Sequence, residues 1–414
     1  MYENINEEKT TAILCAVDTG EYDADVSIDE LEELAETAGA ETIAKVIQKR
    51  PVFDSALCMG EGKIAELAEM CENLQPDLLI FDHELTATQI RNIEKITNIR
   101  VVDRTTLILD IFAQRAVSAE GKLQVELAQQ KYRLPRLAGM GTSLSRLGGG
   151  IGTRGPGETK LESDKRHIRR RIELLEDELK ELAKRREYNR ARRKKDSVIS
   201  VAIVGYTNVG KSTLLNKLTD AGVLAENMLF ATLDTTSRGI TLPDGRNILL
   251  IDTVGLIRRL PHNLVEAFKS TLEEATNADL ILNIIDISDE LAYEHAEVTE
   301  KLLSELGCDG IPRVNVLNKC DISEEAKMIT EDENTVKISA KKGEGIDRLL
   351  EVISKNLPTT LFRMNLLVPY SDGSLLNKIR EDGKIFTEEY QAEGTLVDAL
   401  VDRKILHLAE KYKV

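Results

Sequence analysis

The sequence predicts a multidomain α/β protein, and three observations support that prediction. Short apolar segments alternate with helical patterns over residues 1–110 and again over residues 197–358, as in α/β domains with largely parallel sheets. Between them, residues 111–196 are helical on both sides of a glycine-rich stretch. Residues 359–414 begin with an apolar strand and predict a small C-terminal α+β domain. We therefore expect four domains with these boundaries.

The composition fits a chain of several compact domains and argues against several classes of protein. The chain has 414 residues, of which 42% are hydrophobic and 30% are charged. Aromatic residues make up 4% and tryptophan is absent, which argues against a base-stacking surface for single-stranded nucleic acid. The five cysteines are scattered and form no C-x-x-C pair, so we expect neither a metal cage nor a disulfide framework.

The N-terminus and the hydropathy of the chain predict a soluble protein. The first residues are acidic and lack the apolar stretch of a signal peptide. No apolar run approaches the ~20 residues that are needed to span a bilayer. We therefore expect a cytoplasmic protein, and we expect a monomer because the sequence shows no requirement for a dimer.

The segment at residues 159–195 predicts one long helix with a coiled-coil seam. Its apolar residues recur at alternating steps of four and three, which is the a/d pattern of heptads. The simplest partner is the helical segment at residues 106–137, so we predict a helical hairpin with the glycine-rich loop at its tip. The seam residues are Ile168, Ile172, Leu175, Leu179 and Leu182.

A phosphate-binding motif follows the hairpin. The strand-like segment at residues 198–204 runs directly into G-x-x-x-x-G-K-S, and a helical pattern follows, as a P-loop requires. Its main-chain N–H groups can surround a β-phosphate, Lys211 can reach the β- and γ-oxygens, and the Ser212 hydroxyl suits Mg²⁺. The predicted phosphate-binding residues are Gly205, Tyr206, Thr207, Asn208, Val209, Gly210, Lys211, Ser212 and Thr213.

Three later motifs identify the nucleotide as GTP, because each follows a predicted strand in the expected order. Asp252 is expected to hold Mg²⁺ through water, and the N–H of Gly255 to contact the γ-phosphate. The Asp321 carboxylate can accept from both N1–H and N2–H₂ of guanine, whereas adenine has no matching donors; such a mismatch can discriminate by about 10⁴. The three motifs are Asp252-Thr253-Val254-Gly255, Asn318-Lys319-Cys320-Asp321 and Ser339-Ala340-Lys341, and the main chain of the last can bind guanine O6.

The remaining Mg²⁺ ligand is expected in residues 230–236, the first switch, which GTP orders and hydrolysis releases. Thr232, Thr235 and Thr236 are all candidates on spacing alone. The second switch follows the D-x-x-G motif. There Leu256 occupies the position at which many GTPases carry a water-orienting glutamine, so we predict slow basal hydrolysis that a partner accelerates. The neighbouring Arg258 and Arg259 are interpreted as surface groups of this switch.

Residues 148–160, which read GGGIGTRGPGETK, resemble the signature of the HflX family of GTPases, as do Phe230 to Asp234 and Asp252 to Pro261. The resemblance covers essentially the whole chain. It implies that Thr232 is the Mg²⁺ ligand, although Thr235 stands where the family usually has proline. The implied nucleotide-contacting residues of the first switch are Phe230, Ala231, Thr232, Leu233 and Asp234, and the implied catalytic residues are Lys211, Thr232 and Gly255.

The family binds the large ribosomal subunit, and members split stalled or idle ribosomes in the GTP state. The resemblance implies a hairpin tip that reaches toward the peptidyl-transferase centre. The charge pattern is consistent with such a partner: residues 165–195 carry a net charge of +8, whereas the whole chain carries −16. The expected RNA-contacting residues are Arg146, Arg154, Arg190, Arg192, Arg193, Lys194 and Lys195.

Two alternatives remain open at this point. The basic stretch could be the solvated face of a coiled coil, and the glycine-rich loop could be a linker. The chain could then be a regulatory GTP switch that binds a protein effector through its N-terminal domain, without RNA. An RNA-modifying enzyme is not favoured, since no suitable constellation of Cys, Asp and Lys lies outside the nucleotide-binding domain.

Overall fold

A computed structural model describes residues 9–137, 160–195, 198–219, 229–230, 235–259, 261, 273–323, 328–358 and 361–414. Two compact units make up the chain. The first comprises residues 1–182, 227–233 and 260–268, and the second comprises residues 183–226, 234–259 and 269–414. The predicted multidomain α/β architecture is confirmed. The tip loop of the hairpin, with Arg146 and Arg154, lies outside the described residues.

The first unit contains a four-stranded parallel sheet with the order β2-β1-β3-β4. All six residues from Ala12 to Val17 are fully buried, because strand β1 lies inside the sheet. Strand β2 was not predicted, because this edge strand, with the sequence AETIAKVIQK, contains no continuous apolar run. The elements are β1 (Thr10–Asp18), α1 (Ala24–Thr37), β2 (Ala40–Lys49), α2 (Glu61–Leu74), β3 (Leu78–Phe81), α3 (Ala87–Thr97), β4 (Arg100–Asp103) and α4 (Arg104–Arg115).

The predicted helical segment at residues 106–137 is in fact two helices, α4 and α5 (Ala119–Arg136). The chain leaves the helical conformation at Ala116, and the Ser118 side chain then caps α5 by accepting from the N–H of Gly121. The expected domain boundary at residue 110 therefore falls inside α4. The sequence pattern does not separate the two helices, because the helical periodicity is present on both sides of this short break.

Helix α5 is fastened to the edge of the sheet by a buried polar cluster. The Asp103 carboxylate, which is fully buried at the end of β4, accepts hydrogen bonds from the Tyr132 hydroxyl and from the N–H of Leu85. Arg136 donates to the carbonyl of Leu85 at 2.8 Å and stacks over the Tyr132 ring. A buried carboxylate needs such partners. The cluster therefore fixes the base of the hairpin.

The long helix α6 (Lys160–Lys195) is the second arm of the predicted hairpin. Arg171 forms two hydrogen bonds with Glu126 of α5, at 2.6 and 2.7 Å, and Lys131 of α5 pairs with Glu176 at 2.9 Å. Of the five predicted seam residues only Leu175 is fully buried, and the other four are half-buried. The seam is thus narrower than a full coiled coil.

The second unit contains a six-stranded sheet with the order β10-β9-β8-β5-β7-β6, in which only the pair β6–β7 is antiparallel. The carboxyl ends of the parallel strands lie along one edge, which is where ligands bind in open α/β sheets. The elements are β5 (Ile199–Gly205), α7 (Lys211–Thr219), β6 (Thr236–Thr241), β7 (Asn247–Asp252), β8 (Leu280–Asp286), α8 (Ala292–Glu305), β9 (Arg313–Asn318), β10 (Thr335–Lys337) and α9 (Ile346–Asn356).

The C-terminal part of the second unit is the predicted small α+β domain. A three-stranded antiparallel sheet, with the order β11-β13-β12, buries one face against two helices. Its elements are β11 (Leu361–Val368), α10 (Gly373–Asp382), β12 (Lys384–Gln391), β13 (Gly394–Asp402) and α11 (Arg403–Ala409). None of the helices in the described parts of the chain combines the length and the apolar character that a membrane span needs.

Candidate nucleotide-binding site

The P-loop follows β5, and at two of its positions the main-chain conformation and the close packing suit only glycine. Gly205 has φ +152°, and a Cβ there would lie 2.4 Å from the carbonyl oxygen of Ile284 on the neighbouring strand. Gly210 has φ +94°, and a Cβ there would lie 2.4 Å from Nδ2 of Asn318. The loop is therefore packed against β8 and β9 with no room for side chains. This close packing explains the glycine spacing of the motif.

Lys211 is held over the loop by main-chain oxygens. Its Nζ donates to the carbonyls of Tyr206 at 2.6 Å and Gly205 at 3.1 Å, and the residue is 6% exposed. Burial lowers the pKa of Lys211 to about 8, against the opposing effect of the Asp252 charge. The two oxygens that accept from this buried ammonium group are uncharged carbonyls, so the lysine suits a phosphate.

A pair of oxygen groups lies beside the lysine. The Ser212 hydroxyl, at the start of α7, donates to the Asp252 carboxylate at 2.9 Å, and Asp252 is fully buried at the end of β7. Hydroxyl and carboxylate oxygens are the hard ligands that Mg²⁺ prefers, and this ion usually takes few ligands from the protein. The donor set therefore fits Mg²⁺. The third expected ligand, Thr232, lies outside the described residues, as do Ala231, Leu233 and Asp234.

The base-recognition motif is joined to the P-loop by one amide side chain. Asn318, which is 2% exposed, donates from Nδ2 to the carbonyl of Val209 at 2.7 Å. Its Oδ1 accepts from the N–H of Ala340 at 3.0 Å. The three loops that should contact phosphate and base thus meet at Asn318.

The neighbours of Asp321 favour the charged form of its carboxylate. A hydrogen bond from Ser339 is the main cause that lowers the pKa of Asp321. The charge of Lys342, 3.4 Å away, lowers this pKa further. Lys319 has φ +61° and pairs with Asp286 at 2.6 Å, which holds its side chain along the end of β8. Asp286 and Lys342 were not predicted as site residues; the position of Asp286 at the end of a parallel strand was the available signal.

The second switch is buried where it leaves the sheet. Thr253 is fully buried, and Val254, Leu256 and Ile257 are each no more than 4% exposed. Arg258, interpreted from the sequence as a surface group, instead pairs with Glu294 at 2.6 Å and has a side chain that is 17% exposed. Arg258 is less exposed than expected because it pairs with Glu294 of α8, a contact that no local sequence pattern reveals.

Two expected contact residues have other partners in the structure. Phe230 is 2% exposed in the first unit, where its ring packs against Phe112 at a centroid distance of 4.6 Å. Arg190 pairs with Glu274 at 3.2 Å and with Glu273 at 3.9 Å, and its side chain is 18% exposed. A contact of Arg190 with RNA would have to compete with these two ion pairs. Arg192 is exposed on α6, and the side chains of residues 193–195 lie outside the description.

Replacing Asp321 by asparagine tests how the base is read. Asparagine can accept one hydrogen bond from guanine but presents an NH₂ group to its N2–H₂, so GTP affinity should fall by about 10²–10⁴. Xanthosine triphosphate, which has an oxygen at C2, should bind Asp321→Asn better than GTP does. Fluorescent-nucleotide titration measures both affinities. The exposed Asp347→Asn variant is the control, and unchanged preference for guanine in Asp321→Asn would contradict this role.

The depressed pKa of Lys211 predicts a pH dependence of nucleotide binding. Below pH 8 the lysine is already charged, whereas above pH 8 it must take up a proton to face the phosphates. At pH 8.5 binding of GDP should take up roughly three-quarters of a proton, and near pH 7 only about a tenth. Calorimetry in buffers of different ionisation enthalpy measures this number. Equal proton uptake at the two pH values would contradict a depressed pKa for Lys211.

Comparison with known families gives four consecutive matches between residues 25 and 404. The family described as "GTP-binding GTPase N-terminal" matches residues 25–113, and "GTP-binding GTPase Middle Region" matches residues 115–193. The family "50S ribosome-binding GTPase" matches residues 200–319, and "HflX C-terminal domain" matches residues 324–404.

Two relatives of similar length agree with the family matches. The chain is 52% identical to a GTPase HflX of Caldanaerobacter subterraneus subsp. tengcongensis, over 97% of this chain and 94% of that protein. It is 42% identical to GTPase HflX of Escherichia coli, over 89% of this chain and 88% of that protein. A crystal structure of a GTP-binding protein from Sulfolobus solfataricus with GDP is 26% identical, covers 84% of this chain and 98% of that chain, and has a TM-score of 0.44. With relatives matched along nearly their whole length, the chain belongs to the HflX family of GTPases.

Proposed function

We propose that this GTPase binds the large ribosomal subunit through ribosomal RNA and splits or rescues ribosomes in its GTP-bound form. The main supporting observation is a long basic helix, α6, that leads into a GTPase domain. The family matched by residues 200–319, the 50S ribosome-binding GTPases, agrees with such a partner. We expect the protein to act as a cytoplasmic monomer.

The distribution of charge on α6 favours RNA at its C-terminal end. In the first unit, Arg171 is paired with Glu126 of α5, and α6 itself supplies Glu173, Glu176 and Asp177. From residue 184 onward the helix has eight basic residues and one acidic residue. Lys184, Arg185 and Arg192 are exposed there. Concentrated positive charge on an otherwise acidic protein attracts phosphate and adds a salt-dependent term to binding.

The nucleotide site supplies the switch in this proposal. Ser212, Asp252 and Thr232 would hold Mg²⁺, which neutralises phosphate charge when it is bound. Lys211 binds the β- and γ-phosphates, the N–H of Gly255 contacts the γ-phosphate, and Asp321 selects guanine. Thr232 belongs to the first switch, so its ligation would change that segment between the GTP and GDP states.

Hydrolysis by the isolated protein should be slow. Leu256 is 1% exposed and has no polar atom with which to orient water, so the side chain that many GTPases use is missing. We expect turnover by the purified protein to rise at least about 10-fold when large subunits are added, because a partner supplies or orders the missing group. Phosphate release measured with and without subunits tests this. A fast rate without any partner, or a rate that subunits leave unchanged, would contradict the expectation.

Co-sedimentation through sucrose tests the proposed partner directly. The protein should travel with large subunits in the presence of a GTP analogue and stay largely unbound with GDP. Reversing three charges together, Arg192→Glu, Arg193→Glu and Lys194→Glu, should weaken binding by at least about 10-fold and reduce its dependence on salt.

The matched control reverses three exposed lysines on other helices, Lys301, Lys355 and Lys378. It changes the net charge equally but should retain most of the binding. If both triple variants bind as tightly as the original chain, RNA contact by the end of α6 is excluded. If no form of the protein sediments with subunits, the alternative of a protein effector is favoured.

A further inference from the structure

The P-loop and the second switch are joined by main-chain hydrogen bonds. The N–H of Leu256 donates to the carbonyl of Gly205 at 3.2 Å, and the N–H of Thr207 donates to the carbonyl of Leu256 at 2.8 Å. Tyr206 and Leu256 therefore pair as an isolated parallel bridge. The chain that follows the D-x-x-G motif is thus an extension of the sheet along the P-loop.

The side chain of Tyr206 adds a contact with the second switch at Arg258, two residues after Leu256. Its hydroxyl oxygen accepts from the N–H of Arg258 at 2.8 Å, and the residue is 5% exposed. Its ring stacks on the imidazole of His295, with ring centroids 3.9 Å apart and planes inclined by 12°. The phenol is therefore fixed on both sides, by the second switch and by helix α8.

Helix α8 provides a rigid support for this arrangement. Nδ1 of His295 lies 3.3 Å from the Asp289 carboxylate, which sets the orientation of the ring. The adjacent Glu294 pairs with the Arg258 guanidinium at 2.6 Å. Farther along α8, Leu303 is buried with residues of β5 and β8. Arg258 is consequently held through both its main chain and its side chain.

The second switch comes close to Lys211 at Gly255. A Cβ on Gly255 would lie 3.2 Å from Nζ of Lys211 and 2.6 Å from Cγ2 of Thr207. The main chain of Gly255 therefore lies against the lysine head, and both groups are those that a γ-phosphate would contact. In this arrangement the second switch faces the phosphate position.

We propose that Tyr206 is a positioning residue for GTP hydrolysis. Since Leu256 cannot orient water, the second switch contributes through its main chain, and transition-state stabilisation by main-chain groups depends on how well they are held in place. The Tyr206 hydroxyl holds that main chain through Arg258, and His295 holds the Tyr206 ring. This role is distinct from the phosphate contacts of the P-loop main chain.

The test variant is Tyr206→Phe, which removes the hydroxyl and keeps the ring on His295. The loss of one hydrogen bond should lower basal kcat by about three- to tenfold. The KM for GTP and the affinity for GDP should stay unchanged, because the P-loop main chain and Lys211 are untouched. Trypsin should cleave faster after Arg258 and Arg259. A second variant, His295→Leu, removes the stacking imidazole and should lower kcat in the same way.

Tyr293→Phe is the matched control, since Tyr293 lies on the same helix and is 66% exposed. It should leave kcat and cleavage unchanged. A kcat for Tyr206→Phe equal to that of the control would overturn the proposal, and so would an increase, which would mean that the hydroxyl restrains hydrolysis. A fall in kcat accompanied by equal losses in GDP affinity and in Tm would also overturn it, because the effect would then be structural.

Discussion

The nucleotide site depends on the two hydrogen bonds that the side-chain amide of Asn318 makes. This amide links the carbonyl of Val209 in the P-loop to the N–H of Ala340 in the loop after β10. Phosphate and base are bound by loops that follow different strands, so a nucleotide fits only if those loops keep a constant separation. Because Asn318 is buried, removal of its amide would leave two main-chain groups without their partner, at a cost of about 1–3 kcal/mol each.

Most of the chemistry proposed at this site belongs to main-chain groups. Main-chain groups of the P-loop, of Gly255 and of the loop after β10 are expected to contact the phosphates and the base, and the side chains of Asn318 and Tyr206 fix the geometry of that main chain. Lys211, Asp252 and Asp321 are the charged exceptions. In such a design, hydrolysis depends on how rigidly the second switch is held, and a partner can raise the rate by acting on the same segment.

Much of this could be predicted from the sequence, because motifs at strand ends are local. The glycine spacing from Gly205 to Gly210 and the base motif at Asp321 predict the nucleotide site. Contacts between distant segments could not be predicted. The Arg190 ion pairs with Glu273 and Glu274, and the hydrogen bond from Arg258 to Tyr206, join residues far apart in the chain. The edge strand β2 was missed because its half-buried residues lack a continuous apolar run.

The most direct test of the guanine-reading pocket is a displacement measurement on the full chain. Fluorescent GDP is bound first, and unlabelled GTP or ATP is then added over a range of concentrations. The account predicts that GTP displaces the label at about its own affinity, whereas ATP fails to do so even at about 1,000-fold higher concentration. Displacement by ATP at the same concentration as GTP would contradict the recognition of guanine by Asp321.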